Sequence, residues 1–259
     1  MAAELLSRAD GPAWRLTIAR PARRNAITPD LAAAMAAEVD LVSAARSAPA
    51  IVIDGEGGHF CAGLDLVWFT SLGGAPDLDQ IRDGLTRFQS LIVSIVRAPV
   101  PVIAALRGSV AGFGVDLAAA CDLRLAGRST IFASAFARMG LVPDGGSSLT
   151  LRALIGEGAA LRFLLAGEPL DAAGALRLGL VTEVVEDDAL DARVAALAAA
   201  VAANAPGSTE AIKRLCRAET TARLEAVLRS EGEAQMEAML GAEFRDRLRA
   251  FLSRAGASG

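Results

Sequence analysis

Twice in this chain an apolar, strand-like run leads through glycines into the opening of a helix. The first copy runs from Ile51-Val52-Ile53-Asp54 through Gly55, Gly57 and Gly58 to His59-Phe60-Cys61-Ala62-Gly63-Leu64-Asp65-Leu66. The second runs from Val102-Ile103-Ala104-Ala105-Leu106 through Gly108, Gly112 and Gly114 to Val115-Asp116-Leu117. Residues without a Cβ let the backbone take unusual angles and let a ligand come close to it. The first N–H groups of a helix have no partner inside the helix, and the helix dipole favours negative charge there. Two such turns can aim one backbone N–H each, from Leu64 and Phe113, at a single oxygen. That arrangement is an oxyanion hole.

The totals fit one large soluble unit. A chain of 259 residues, 53% hydrophobic and 22% charged, can bury a sizeable core. A net charge of -4 leaves no basic footprint, which disfavours nucleic acid as a partner. Cys61, Cys121 and Cys216 are odd in number and far apart, so they point to a reducing compartment and not to zinc. The first ten residues lack a long apolar core and do not read as a signal peptide. The most apolar region, Leu91 to Ala120, is broken by Arg97, Pro99, Pro101 and Arg107 and does not read as a membrane span. A cytoplasmic protein is expected.

Along the chain, Trp14 to Ala19 alternates as a strand, and Thr28-Pro29-Asp30 opens a helix to about Arg46. Ala50 to Asp54 is a buried strand. Leu66 to Asp77 has no clear period and includes Gly73-Gly74, which predicts a mobile loop over a site. Helical spacing returns from Asp79 to Val96. Short strands follow at Leu123 to Leu125, Ile131 to Phe132 and Leu180 to Val185. Short helices are expected after Gly146, over Gly156 to Leu165 and over Asp171 to Leu178. From Ala189 the pattern is helical, with breaks at Pro206 and Gly241. Strand, turn and helix recurring every few dozen residues suggest a repeated unit wound into a spiral. A boundary near residue 200 divides it into 1–200 and 201–259.

With Arg24-Asn25-Ala26-Ile27 before the two turns and Gly140-Leu141-Val142-Pro143-Asp144-Gly145-Gly146 after them, the chain resembles the crotonase (enoyl-CoA hydratase/isomerase) superfamily. The resemblance covers nearly the whole length. It implies an α/β fold, the crotonase (ClpP-like) spiral of ββα units. Its helical C-terminal region, 201–259, would cover the active site and pack into homotrimers or hexamers. It also implies an acyl-CoA thioester as substrate, with no further cofactor, because coenzyme A is part of the substrate.

The reaction within that family turns on the acids. Taken alone, Asp116 and Asp144 could each stabilise a helix N-terminus. The alternative is that they face the thioester and move protons at the α and γ carbons. By resemblance, hydratases of the family carry one glutamate where this chain has Asp116 and another where it has Phe136, and hydration uses both to hold and activate water. Phe136 removes one. Isomerases of dienoyl thioesters carry Gly-Val-Asp-Leu, as here at Gly114-Val115-Asp116-Leu117, and an aspartate at the Asp144 position. The isomerase of the phenylacetate pathway has a segment very like Ala135 to Asp144. Double-bond isomerisation with Asp144 as base, assisted by Asp116, is therefore favoured over hydration. A non-catalytic CoA-ester-binding or RNA-binding member is the reading from a different class. Burial beside Trp68, Phe69 and Phe136 would raise the proton affinity of Asp144 and a helix N-terminus would lower it.

Other candidates carry less. Hydrolytic dehalogenation, a sibling reaction, needs a histidine partner by family pattern, and the one histidine, His59, lies in the first turn. Cys61 lacks a histidine to activate it as a nucleophile. Asp65 anchors its turn or caps the next helix, and with Ala62 and Phe136 it is also carried among the substrate-contacting candidates. By resemblance, Arg24 binds CoA phosphates, while Phe251 and Arg254 of the last helix touch CoA. Gly112-Phe113-Gly114 lacks the third glycine of a dinucleotide fingerprint, since Leu117 stands there.

Overall fold

The repeat expected from the sequence is a strand, a second short strand and a helix. The computed structural model describes residues 4–71 and 77–256. Leu5–Asp10 (β1) and Ala13–Ile18 (β2) form an antiparallel hairpin. Thr28 then caps Pro29–Ala45 (α1) by accepting the Leu31 N–H at 3.3 Å, with Pro29 in the first turn, where its missing N–H costs nothing.

Three successive units follow. Ala50–Gly55 (β3) leads through an isolated bridge at Cys61 to Leu66–Ser71 (α2), and Leu78–Arg97 (α3) comes next. Val102–Leu106 (β4), Ser109–Ala111 (β5) and Phe113–Ala120 (α4) make the second unit. Leu123–Gly127 (β6), Ile131–Ala133 (β7) and Phe136–Met139 (α5) make the third. Ser147–Ile155 (α6), Glu157–Ala166 (α7), Leu170–Asp171 (β8), Ala172–Leu178 (α8) and Glu183–Val185 (β9) complete the strands. Four helices end the chain: Leu190–Ala202 (α9), Pro206–Cys216 (α10), Ala218–Leu240 (α11) and Ala242–Gly256 (α12).

Among the described residues, the longer strands form one sheet in the order β1-β2-β3-β4-β6-β9, parallel except for β1. The short strands form a second sheet, β5-β7-β8, which the parallel Cys61–Val110 bridge extends. Each unit therefore contributes a strand to the large sheet, a strand or bridge to the small one, and then a helix. This is the α/β spiral of ββα units.

Burial explains why the strands read as unbroken apolar runs: both faces of the large sheet are covered. Leu16, Ile51, Ile53 and Ala104 pack with α1, α3 and α4 on one face, while Val52, Ile103 and Leu125 meet Leu190, Val194 and Ala198 of α9 on the other. A third cluster joins Phe69, Ile81 and Leu85 to Met239, Phe244 and Leu248, bringing α2 and α3 against α11 and α12.

One strand escapes the sequence analysis, and one expectation is corrected. The strand β1 has no alternating signal, because it is a largely exposed edge held by its neighbour. The stretch expected as a loop opens as a helix, α2. Asp65 Oδ1 accepts the Val67 and Trp68 N–H groups at 3.0 and 3.3 Å, supplying the start that the β-branched and aromatic residues of α2 do not favour on their own. The remainder of that expectation, residues 72–76, lies outside the described residues. Among the described residues no helix is long and apolar enough to cross a membrane.

Candidate active site

The two glycine turns are laced together along the small sheet. The Cys61 N–H donates to the Ser109 carbonyl at 3.1 Å, and the Ala111 N–H donates to the Cys61 carbonyl at 2.9 Å. The Arg24 to Ile27 segment straps the first turn from outside. The Arg24 carbonyl accepts the Ala62 N–H at 3.0 Å, and Ile27 receives the Asp65 N–H while donating to the Gly63 carbonyl. Asn25, at φ 58, takes a left-handed conformation that asparagine tolerates better than most residues. Its buried amide donates to the Glu56 and His59 carbonyls at 2.9 and 2.6 Å.

This lacing leaves two N–H groups unused. The strap engages the residues on either side of Leu64, and Phe113 is the first residue of α4, where no intrahelical acceptor exists. Among the described residues neither N–H donates to a protein acceptor, and both residues line the same cleft. Gly63, at φ 93, is where the two turns touch. A Cβ there would lie 2.8 Å from the Ala111 carbonyl oxygen and 3.3 Å from the Phe113 nitrogen.

The cleft encloses about 780 Å³, including its open mouth, and its walls are apolar. Trp68, Phe69, Leu85, Phe88, Met139 and Met239 make most of them. Phe88 braces Phe113 edge-on, with ring centres 4.6 Å apart. Ala62 and Phe136 line the cleft as expected. Asp144 is the one carboxyl among the described lining residues. Gln235 donates to its Oδ2 at 3.3 Å, and Gln89 donates to its main-chain carbonyl at 3.3 Å. Burial first, and then the nearby Glu231 carboxylate, push the Asp144 carboxyl up to about 7, against the pull of the Gln235 amide.

Asp116 is placed differently from expectation. It is fully buried and is not among the cleft-lining residues. Its Oδ2 accepts the Gly145 N–H at 3.1 Å, which turns the carboxyl towards the loop behind Asp144. Gly145 leaves room for this contact, since a Cβ there would lie 2.6 Å from the Asp116 Cβ. Burial, and then the Asp144 and Glu231 charges, hold the Asp116 carboxyl well above its ordinary range. Neither aspartate caps α6. Glu231 does so from α11, accepting the Gly146 N–H at 2.6 Å and the Ser148 N–H at 3.0 Å.

The remaining candidates separate in the same way. Asp65 spends one oxygen on capping α2 and the other on Arg20 at 2.7 Å, so its carboxylate is not directed to a ligand. Arg24 is exposed and does not line the cleft; only its main-chain carbonyl engages the first turn, at Ala62. Phe251 is 44% exposed and does not line the cleft; Phe244 is the α12 aromatic that packs inward, on Phe69 at 5.2 Å. The side chain of Arg254 lies outside the described residues. Burial pushes the Cys61 thiol up to about 12, and its Sγ accepts the Gly63 N–H at 3.3 Å, which makes it a turn former and no nucleophile. The His59 ring accepts the Ser109 N–H at 3.1 Å and ties the two turns together.

Sequence reasoning missed Glu231, Gln235 and Gln89. The signal for the first two was present. On α11 the buried positions run Leu224, Leu228, Glu231, Gln235, Met239, an apolar stripe at helical spacing with two polar residues inside it.

Known proteins match the chain over most of its length. The family model described as Enoyl-CoA hydratase/isomerase matches residues 13–257. A probable enoyl-CoA hydratase of Rhodobacter capsulatus is 34% identical over 241 residues, covering 92% of this chain and 91% of the relative. The 1,2-epoxyphenylacetyl-CoA isomerase of Escherichia coli is 33% identical over 189 residues, covering 72% of this chain and 71% of that enzyme. Among solved structures, an enoyl-CoA hydratase/isomerase from Pseudoalteromonas atlantica superposes with a TM-score of 0.87 at 32% identity, over 97% of this chain and 98% of the other.

Proposed function

Since the chain belongs to the enoyl-CoA hydratase/isomerase family, we propose that it is an acyl-CoA enzyme that moves a carbon–carbon double bond through a thioester enolate. The observation that carries this reading is the single carboxyl in an otherwise apolar cleft, Asp144. The thioester oxygen sits between the Leu64 and Phe113 N–H groups. Asp144 takes a proton from the α or γ carbon, and the electron pair moves into the carbonyl oxygen, where those donors stabilise it. The protonated Asp144 then returns the proton at the other end of the three-carbon unit. One group serves both steps, which is all that a 1,3-proton shift needs.

Hydration asks for more. One group must activate water while another delivers a proton, and by the resemblance Phe136 stands where hydratases carry a second acid. Apart from Gln235, the wall around Asp144 is apolar and offers no second acid or base. A carboxyl pushed up to about 7 is well matched to taking and giving a proton near neutral pH. CoA itself supplies the thioester, so this reading needs no separate cofactor, and by the resemblance the exposed Arg24 meets its phosphates.

The test offers purified enzyme 2-enoyl-, 3-enoyl- and dienoyl-CoA thioesters in heavy water. Double-bond migration with little 3-hydroxyacyl-CoA is expected. Rapid 3-hydroxyacyl-CoA formation would overturn the isomerase assignment in favour of hydration, and binding without turnover would point to a non-catalytic member. A second outcome concerns the oxyanion hole. Gly63→Ala forces a Cβ against the Ala111 carbonyl at a backbone angle that glycine alone accepts readily. Turnover should fall about 10²-fold, the loss typical of one misplaced oxyanion donor, with a smaller change in KM. Steady-state kinetics of that variant decide it.

A further inference from the structure

Glu231 and Gln235 stand one turn apart on the buried side of α11, 7% and 2% exposed. Both grip the loop that carries Asp144. Glu231 takes the Gly146 and Ser148 N–H groups after Asp144, while Gln235 accepts the Val142 N–H at 3.0 Å before it and donates to the Asp144 Oδ2. Buried polar groups in a helix stripe cost stability unless something uses them. Here the side-chain hydrogen bonds they make all end on residues 142–148.

We propose that Glu231 and Gln235 are positioning residues for Asp144: Gln235 aims its carboxyl into the cleft, and the Glu231 charge, fixed by the start of α6, sets whether it holds a proton. This rests on the reading of Asp144 as the base. The charged groups that face it come from two elements, Asp116 on α4 and Glu231 on α11. The other elements around the loop present neutral groups: Gln89 on α3, Ser147 on α6 and the buried Cys61 thiol in the first turn. Among the described residues no cation pairs with any of the three carboxyls.

Three carboxyls in an apolar interior do not all ionise together, and hydrogen bonds set the order. Burial raises the Glu231 carboxyl too, but it accepts two backbone N–H bonds at the positive end of a helix, which oppose that rise and favour the anion more than the bonds to either aspartate do. Asp116 accepts one and lies beside the Ser147 hydroxyl, and its full burial holds it well above its ordinary range. Asp144, with one amide at 3.3 Å, is left as the group that titrates near neutrality.

The experiment follows the Asp144 carboxyl carbon by NMR across pH in the full chain, with Asp144→Asn assigning its resonance, beside the pH profile of turnover. Glu231→Gln removes the charge and is expected to lower both the Asp144 midpoint and the acid limb of the profile by about one pH unit. That variant should then outpace the wild type at acid pH and fall behind at alkaline pH, where a weaker base works less well. Gln235→Met removes the donor and should move both midpoints the other way. Glu231→Asp keeps the charge and should shift them less than Glu231→Gln. A packing role alone would lower rates equally at every pH. An unmoved Asp144 midpoint in Glu231→Gln overturns the proposal; if that variant does not fold, an unmoved midpoint in Gln235→Met does so. The NMR midpoint needs no turnover, so absence of double-bond migration defeats the isomerase reading without deciding this one.

Discussion

Asp144→Asn is expected to lower turnover about 10³-fold while leaving the affinity for an acyl-CoA thioester within a small factor of the wild type. Asparagine keeps the shape of the side chain and still accepts from Gln235, so the loop has no reason to move. The apolar walls and the Leu64 and Phe113 N–H groups, which would hold the thioester, are untouched. Only the proton carrier is removed. Direct binding measured by calorimetry beside turnover separates the two quantities. Turnover within tenfold of the wild type would take Asp144 out of the mechanism, and a parallel loss of affinity would make it a binding group.

The same substitution should stabilise the fold, in a way that depends on pH. Burial raises the Asp144 carboxyl from an ordinary value of 3.8 to about 7, so the native state holds a proton that the unfolded chain has released. The stability contribution is therefore complete below the unfolded value and is lost as pH rises through about 7. A shift of roughly three pH units corresponds to about 4 kcal/mol above pH 8, shrinking to about 1 kcal/mol near pH 4.5. Asp144→Asn removes the penalty, and its thermal midpoint should exceed that of the wild type by about 10 °C at pH 8.5, with little difference at pH 4.5. Melting curves at the two pH values check this. An equal offset at both would mean that ionisation of Asp144 is not the source. Asp116 is raised in the same direction, and Asp116→Asn should show the same sign.

What the sequence disclosed was whatever is written locally. Gly63 and Gly112 mark the two turns because those backbone angles suit glycine, and the apolar runs before them mark strands covered on both faces. Thr28-Pro29 announces α1 because the cap and the proline act within one turn. What it hid was contact across distance. Asp116 occupies the first turn of α4, yet its carboxyl is drawn to the Gly145 N–H, 29 positions away, and that is why its expected place in the cleft is corrected. Glu231 and Gln235 were invisible as partners of the Asp144 loop, since they lie 85 and 91 positions from the atoms they hold. Only their intrusion into the α11 stripe betrayed that something inside the protein needed them. A short aromatic and basic pattern also says nothing about which aromatic of α12 packs on its own chain: Phe244 does, on Phe69, while Phe251 is exposed.

The long reach from the Asp144 loop to α11 also orders events in time. A ribosome that has made the two laced turns and the acid loop has already produced the groups that would receive the thioester. The carboxylate and amide that hold Ser148 and Asp144 of that loop arrive 83 and 91 residues after them. The growing chain thus holds the two turns and the acid loop before the helix that closes on them, and the cleft lacks its Gln235 and Met239 wall until α11 arrives.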